Sequence, residues 1–340
     1  QHDANGRNTV LSLASGRSMR DLFAELVRLH KEEGLSFKNV IVFGSYEFYP
    51  LSDASLGSMA QIQSQLLDHV DIKTENVYTF PLDLPRETVF SFCEEYEKTI
   101  AQVGGIDIQV LGIGQCGNIA MNEPGTQSNS YTRLVIMDNN SRMDVKSLFG
   151  NAEQVPNCAI TLGINTILQA KEVILMAFGQ HKASIVKQAI EDVASATCPA
   201  SYLQLHKKAS FVLDLDAANK LTRINHPWKV TNCEWTDQLV RRAVVWLCEQ
   251  TQKPILKLTN KDYNDFGLSE LITKFESAYN CNIKVFNDLQ HTITGWPGGK
   301  PNADDSNRPE RANPFPKDVV IFSPHPDDDV ISMGGTFQRL

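Results

Sequence analysis

Along the first two thirds of the chain, short apolar runs suited to strands alternate with longer stretches whose apolar residues recur at helical spacing. Residues 9–14 read as a strand. Met19, Leu22, Phe23, Leu26 and Val27 then fall on one helical face, and Gly34 follows as a stop signal. Residues 40–43 form the next apolar run, with helices predicted over 58–69 and 86–103. Ile106, Ile108 and Val110 give another strand, and 173–177 a further one, followed by a helix over 182–193. Few architectures accommodate this rhythm. It predicts an α/β fold with a Rossmann-like, doubly wound, mostly parallel sheet and helices on both faces. Ligands of such sheets bind at the carboxyl ends of the strands, so loops 14–18, 44–50 and 112–125 are expected to converge.

Near Thr231 the texture changes. Leu239, Val240, Ala243, Val244 and Leu247 make an amphipathic helix, with Thr231 to Glu234 as a capping box. The resulting division is a first domain over 1–230, a helical or α/β connecting segment over 231–294, a Pro/Gly-rich linker over 295–317 and the start of another domain over 318–340.

A net charge of −8 argues against nucleic acid as partner, because phosphate backbones require a basic field. No run of eighteen apolar residues and no signal-like start are present, so no membrane partner and a cytoplasmic location are expected. The seven cysteines are scattered without a C-x-x-C pair, which speaks against a disulfide framework or a zinc cage.

"LASGRSM", residues 13–19, joins the first strand to the first helix. Gly16 allows close backbone approach, Ser15 and Ser18 offer hydroxyls, Arg17 a charge, and the helix start free N–H groups. The alternative is an ordinary turn with Ser18 as N-cap. Arg142 in "DNNSRMD" and Lys182 in "FGQHKAS" add two cations near the same sheet edge, as an anionic ligand would require.

"LGIGQCGNIAMNEPG", residues 111–125, completes the pattern. Together with "LSLASGRS", "HKEEGLSFKNVIVF", "QVPNCAITLGINTILQAKEVILMAFGQHKA" and "SYLQLHKKA", it resembles the glucosamine-6-phosphate deaminase/isomerase family, which includes 6-phosphogluconolactonase-like members. The resemblance spans residues 9–215. It implies a hexosamine 6-phosphate-like ligand, release of ammonia with conversion to fructose 6-phosphate, no cofactor, and homo-oligomers, trimers or hexamers. Carried over, Ser15, Gly16, Arg17, Ser18, Arg142 and Lys182 hold the phosphate. Arg133 falls in a stretch resembling the family's regulatory region, where Val135 stands at a basic position.

The chemical positions differ. The family's proton-abstracting Asp corresponds to Tyr46, a second Asp to Cys116 and the ring-opening His to Asn118; Glu123 is kept. A phenol titrating near ~10 leaves roughly one molecule in a thousand ionised at neutral pH. Cys116 is either a passive thiol or, if a cation lowers its pKa, a nucleophile. Asn118 cannot shuttle a proton. Glu47 is the replacement base the sequence offers, although neighbours on a strand face opposite ways. Glu123 is either a turn carboxylate before Pro124 or a pocket group.

"FSPHPDDDVISMGG", residues 322–335, resembles the opening of the PIG-L/LmbE zinc-dependent N-acetylglucosamine deacetylases. By that resemblance His325 and Asp328 are metal ligands and Asp327 the base. Zinc is expected only in a complete domain, since the sequence ends fifteen residues after His325, before the family's third ligand.

Overall fold

The computed structural model describes residues 6–151, 153–292 and His325, with the backbone alone at 290–292. The described chain divides into two compact units that meet in sequence between Asn225 and His226.

The first unit runs β1 (Thr9–Leu13), α1 (Arg20–Glu33), β2 (Val40–Gly44), β3 (Tyr46–Tyr49), α2 (Ser58–Gln65), β4 (Val77–Tyr78), α3 (Arg86–Gln102) and β5 (Ile108–Gly112). It continues with β6 (Arg133–Ile136), α4 (Asn139–Phe149), β7 (Cys158–Thr161), α5 (Ile164–Leu168), β8 (Glu172–Ala177), α6 (Ala183–Glu191), β9 (Ala209–Leu213), α7 (Leu215–Ala218) and α8 (Thr222–Asn225). Six strands form a parallel sheet in the order β4-β2-β1-β5-β8-β9. Its faces pack into separate cores, Val10, Phe43, Leu111 and Leu175 on one side and Leu13, Val42, Val110 and Met176 on the other. Burial on both faces is why these strands read as near-continuous apolar runs. The chain leaves β1 toward β2 and β4, then returns to β5 and continues outward through β8. The carboxyl ends of β1 and β5 therefore flank the topological switch point, where an open α/β sheet offers a crevice.

The expectation of a loop over 44–50 is corrected: Tyr46–Tyr49 is β3, in an antiparallel sheet of order β3-β7-β6. Its four side chains alternate as a strand requires. Tyr46 and Phe48 enter the core behind the second sheet, while Tyr49 joins the main core. Two aromatic-bearing faces, each buried, stabilise an extended conformation that a lone glycine-serine signal at 44–45 masked.

The second unit, described by itself, comprises α9 (Asp237–Thr251), α10 (Asn260–Asp265), α11 (Ser269–Phe275) and α12 (Ala278–Thr292). The mixed α/β extension expected here gives way to helices throughout the described residues. Val240, Val244 and Leu247, and then Cys281 and Val285, recur at the three- and four-residue spacing of a buried helical stripe. The helix start also shifts. The Thr236 hydroxyl, rather than Thr231, accepts from the Leu239 N–H at 3.3 Å; three residues on stands an apolar Leu, so no reciprocal bond closes a box there. A full capping box forms instead at Thr259 and Asp262.

Candidate functional site

A cavity of about 650 Å³ opens at the carboxyl edge of the parallel sheet, within the ~300–1,000 Å³ range of small-ligand pockets. Loops 14–18 and 112–121 and the segment 178–182 converge on it, and Tyr46 reaches it from β3.

One end is built around β1's exit. Gly16 has φ 122° and ψ 175°, a backbone region closed to residues with a Cβ, and it turns the chain into the 3-10 turn Arg17–Met19 that leads into α1. Ser15, Gly16, Arg17 and Ser18 all line the cavity, with the Arg17 side chain exposed. Ser18 is not an N-cap: Gly16 holds that position for the 3-10 turn and Met19 for α1. Lys182 arrives from β8 through the turn Gln180–Lys182, beside His181. Burial pulls the Lys182 ammonium below its ordinary pKa, the Asp144 charge opposes that fall, and Arg17 adds to it. The turn is fixed from behind: the Gly179 N–H donates to the Asp214 carboxylate at 2.9–3.0 Å, and Asp214 also caps α7 through the Ala217 N–H at 2.7 Å. Two cations, hydroxyls and a glycine backbone facing one space are the groups that an anion receptor requires.

Arg142 is not among the lining residues. Ser141, Asp144 and Val145 sit three and four apart on α4 and share its cavity face, whereas Arg142, one position on, donates to the Val155 carbonyl at 3.2 Å.

A second group of positions, those the resemblance marks as chemical, stands beside and around the Ser15–Ser18 loop. Tyr46 is buried, and its hydroxyl lies 3.0 Å from Ser15 Oγ. Burial pushes the phenol further above its already high range. Asn118 lines the cavity and is held close against Gly114: a Cβ on that glycine would fall 1.9 Å from Asn118 Oδ1. Cys116 is not a lining residue; its sulfur accepts from Asn140 Nδ2 at 3.4 Å. Burial raises its thiol pKa, and the charges of Asp138, Glu123 and Asp144 raise it further, the reverse of what an activated nucleophile requires.

Glu47, the expected replacement base, faces away. Its Oε1 accepts from the N–H groups of Ser58 at 2.7 Å and Phe48 at 2.9 Å, and Oε2 from Met59 at 2.9 Å. It is 2% exposed and anchors the start of α2. Strand period 2 sends the carboxylate to the side opposite Tyr46, and the sequence-based role as base is corrected to an anchoring one.

Glu123 stands one hydrogen bond behind the cavity wall. Its Oε2 accepts from the lining Ser141 hydroxyl at 2.9 Å, and burial, with the Asp138 and Asp144 charges, raises its pKa. On its other side it borders a shallower depression with Arg133 and Val135. Arg133 itself is engaged within the loop, donating to Asn122 Oδ1 at 2.9 Å and Thr126 Oγ1 at 3.2 Å.

Asp144, His181, Asp21 and Asp214 line the cavity without having been singled out from sequence. The signal for Asp144 was present in its helical spacing from Ser141, and that for His181 in its adjacency to Lys182. Of the expected metal residues, His325 is exposed, and Asp327 and Asp328 lie outside the described residues. Among the described residues, no cluster of three or more His, Cys, Asp or Glu side chains fits a metal ion, and no helix is long and apolar enough to cross a membrane.

Comparison with known proteins agrees with this geometry. Residues 2–212 match the family of glucosamine-6-phosphate isomerases/6-phosphogluconolactonase. A glucosamine-6-phosphate deaminase-like protein of Bacteroides thetaiotaomicron is 59% identical over 98% of this chain, which spans only 51% of that protein. The glucosamine-6-phosphate deaminase of Pseudoalteromonas translucida is 38% identical over 63% of this chain and 80% of its own length. Among solved structures, a monomeric glucosamine-6-phosphate deaminase superposes with a TM-score of 0.60 at 33% identity, covering 63% of this chain and 88% of that one. A 6-phosphogluconolactonase from Trypanosoma brucei shares the fold at 20% identity and a TM-score of 0.51, covering 63% and 86%.

Proposed function

Because this chain belongs to the glucosamine-6-phosphate isomerase/6-phosphogluconolactonase family, we propose that its cavity binds a hexosamine 6-phosphate in carbohydrate metabolism, and that it does so without an efficient deaminase reaction. The observation that carries this reading is the split within one cavity. Arg17, Lys182 and the Ser15–Ser18 loop face the space together, while the positions that would move protons hold a buried phenol and an amide. A C2 proton requires a base whose pKa lies near the working pH. Tyr46 is raised away from that range, Cys116 likewise, the Asn118 amide is neither acid nor base there, and Glu47 is occupied by three N–H groups. Glu123 is the one carboxylate kept from the family's set, and Ser141 stands between it and the cavity.

The test is calorimetry with glucosamine 6-phosphate beside an assay for ammonia and fructose 6-phosphate. Binding without turnover supports the reading. Turnover lost in Glu123→Gln would make the chain a working deaminase, and absence of binding would remove the phosphosugar altogether. Self-association, implied by the resemblance, is a further proposal that sedimentation velocity decides.

A further inference from the structure

We infer that Asp144 is a specificity-determining residue: its carboxylate receives the ammonium of an amino-sugar phosphate and disfavours the corresponding neutral sugar phosphates. This rests on the phosphosugar reading above and extends it to a residue outside the positions carried over from the family. Three carboxylates line the cavity. Asp214 is taken up by the Gly179 and Ala217 N–H groups. Asp21 lies exposed on the first turn of α1, beside the phosphate loop. Asp144 differs from both. It sits on the cavity face of α4, and among the described residues its carboxylate accepts a hydrogen bond only from the Gln115 N–H, at a long 3.4 Å, with the Lys182 charge acting on it through space.

It lines the same cavity as Lys182 and Asn118, and its charge acts on Lys182, Glu123 and Cys116. A partly buried carboxylate without a close donor favours a ligand that brings a cation. With no such cation, the same charge weakens the hold of Lys182 on a phosphate by competing for it. A ligand with phosphate at one end and ammonium at the other satisfies both groups; glucose 6-phosphate satisfies one and leaves the other unmet.

The experiment measures affinities of glucosamine 6-phosphate, glucose 6-phosphate and fructose 6-phosphate for the unmodified chain, Asp144→Asn and Asp144→Glu, with thermal melts to confirm folding. The unmodified chain is expected to prefer the amino sugar by roughly ten- to hundredfold, the scale of one hydrogen bond to a charged group. Asp144→Asn should erase that preference from both directions, weakening glucosamine 6-phosphate while leaving the neutral sugars equal or tighter, and Asp144→Glu should restore part of it. A uniform shift of all three ligands in Asp144→Asn, or an undiminished preference, overturns the inference while leaving the phosphosugar reading intact. If the unmodified chain binds none of the three, both fall together.

Discussion

The two groups of site positions lie on the same scaffold yet are built by different rules. The anion-binding group is made from backbone shape and cations at strand exits: Gly16 at φ 122°, Lys182 at the end of a turn, and Asp214 holding that turn from behind. The positions carried over as chemical are single side chains: Tyr46, hydrogen-bonded to the Gly16 loop at Ser15, Asn118 against Gly114, and Cys116 outside the lining. The proposed binding therefore rests on features that are hard to alter without refolding a loop, and the proposed loss of proton transfer on single side chains.

The sharpest attempt to break this contrast is to rebuild the second group. Tyr46→Asp, Cys116→Asp and Asn118→His together should raise ammonia release from glucosamine 6-phosphate by at least about a hundredfold, within the 10²–10⁴ range of general acid–base catalysis. No gain would mean that the difference between the groups is not confined to side chains. Next in size, Arg17→Ala with Lys182→Ala should weaken glucosamine 6-phosphate by on the order of a hundredfold or more, from two charge-assisted contacts. Retained affinity in calorimetry would relocate the anion receptor.

Glu47→Ala separates anchoring from chemistry. Removing the acceptor of three N–H groups at the start of α2 should cost about 3 kcal/mol or more in denaturant unfolding, with ligand affinity of the folded protein unchanged. A change in affinity alone would return Glu47 to the cavity.

The smallest effect is a pH slope. Burial raises Glu123 above its ordinary 4.5, so the folded state binds that proton more tightly than the unfolded chain does. The stability contribution is present below about 4.5 and is lost as pH rises through the raised value. Glu123→Gln should flatten this limb of the stability–pH curve, and an unchanged slope would show that Glu123 is as well solvated folded as unfolded.

The parallel sheet and its helices were legible because each strand is buried on both faces and each helix on one, which imprints distinct periods on the sequence. So was the convergence of loop 14–18 with the 112–121 part of loop 112–125, which follows from where β1 and β5 lie in the strand order. β3 was not legible: its short YEFY run follows a Gly-Ser pair, and its partner β7 is more than a hundred residues away. That Asp144 lines the cavity and Arg142 does not was hidden for a similar reason. Which residue of "DNNSRMD" faces the cavity depends on the phase of α4, set by its Asp138 cap, and charge alone carries no phase.

Gly114 has one further implication. Its missing side chain is the berth in which the amide of Asn118 rests, and any Cβ there would collide with it. So long as position 114 stays glycine, that space remains open to the side chain at 118. An alanine at 114 would push the Asn118 amide out of it, so that one substitution would reshape the cavity wall at two lining positions.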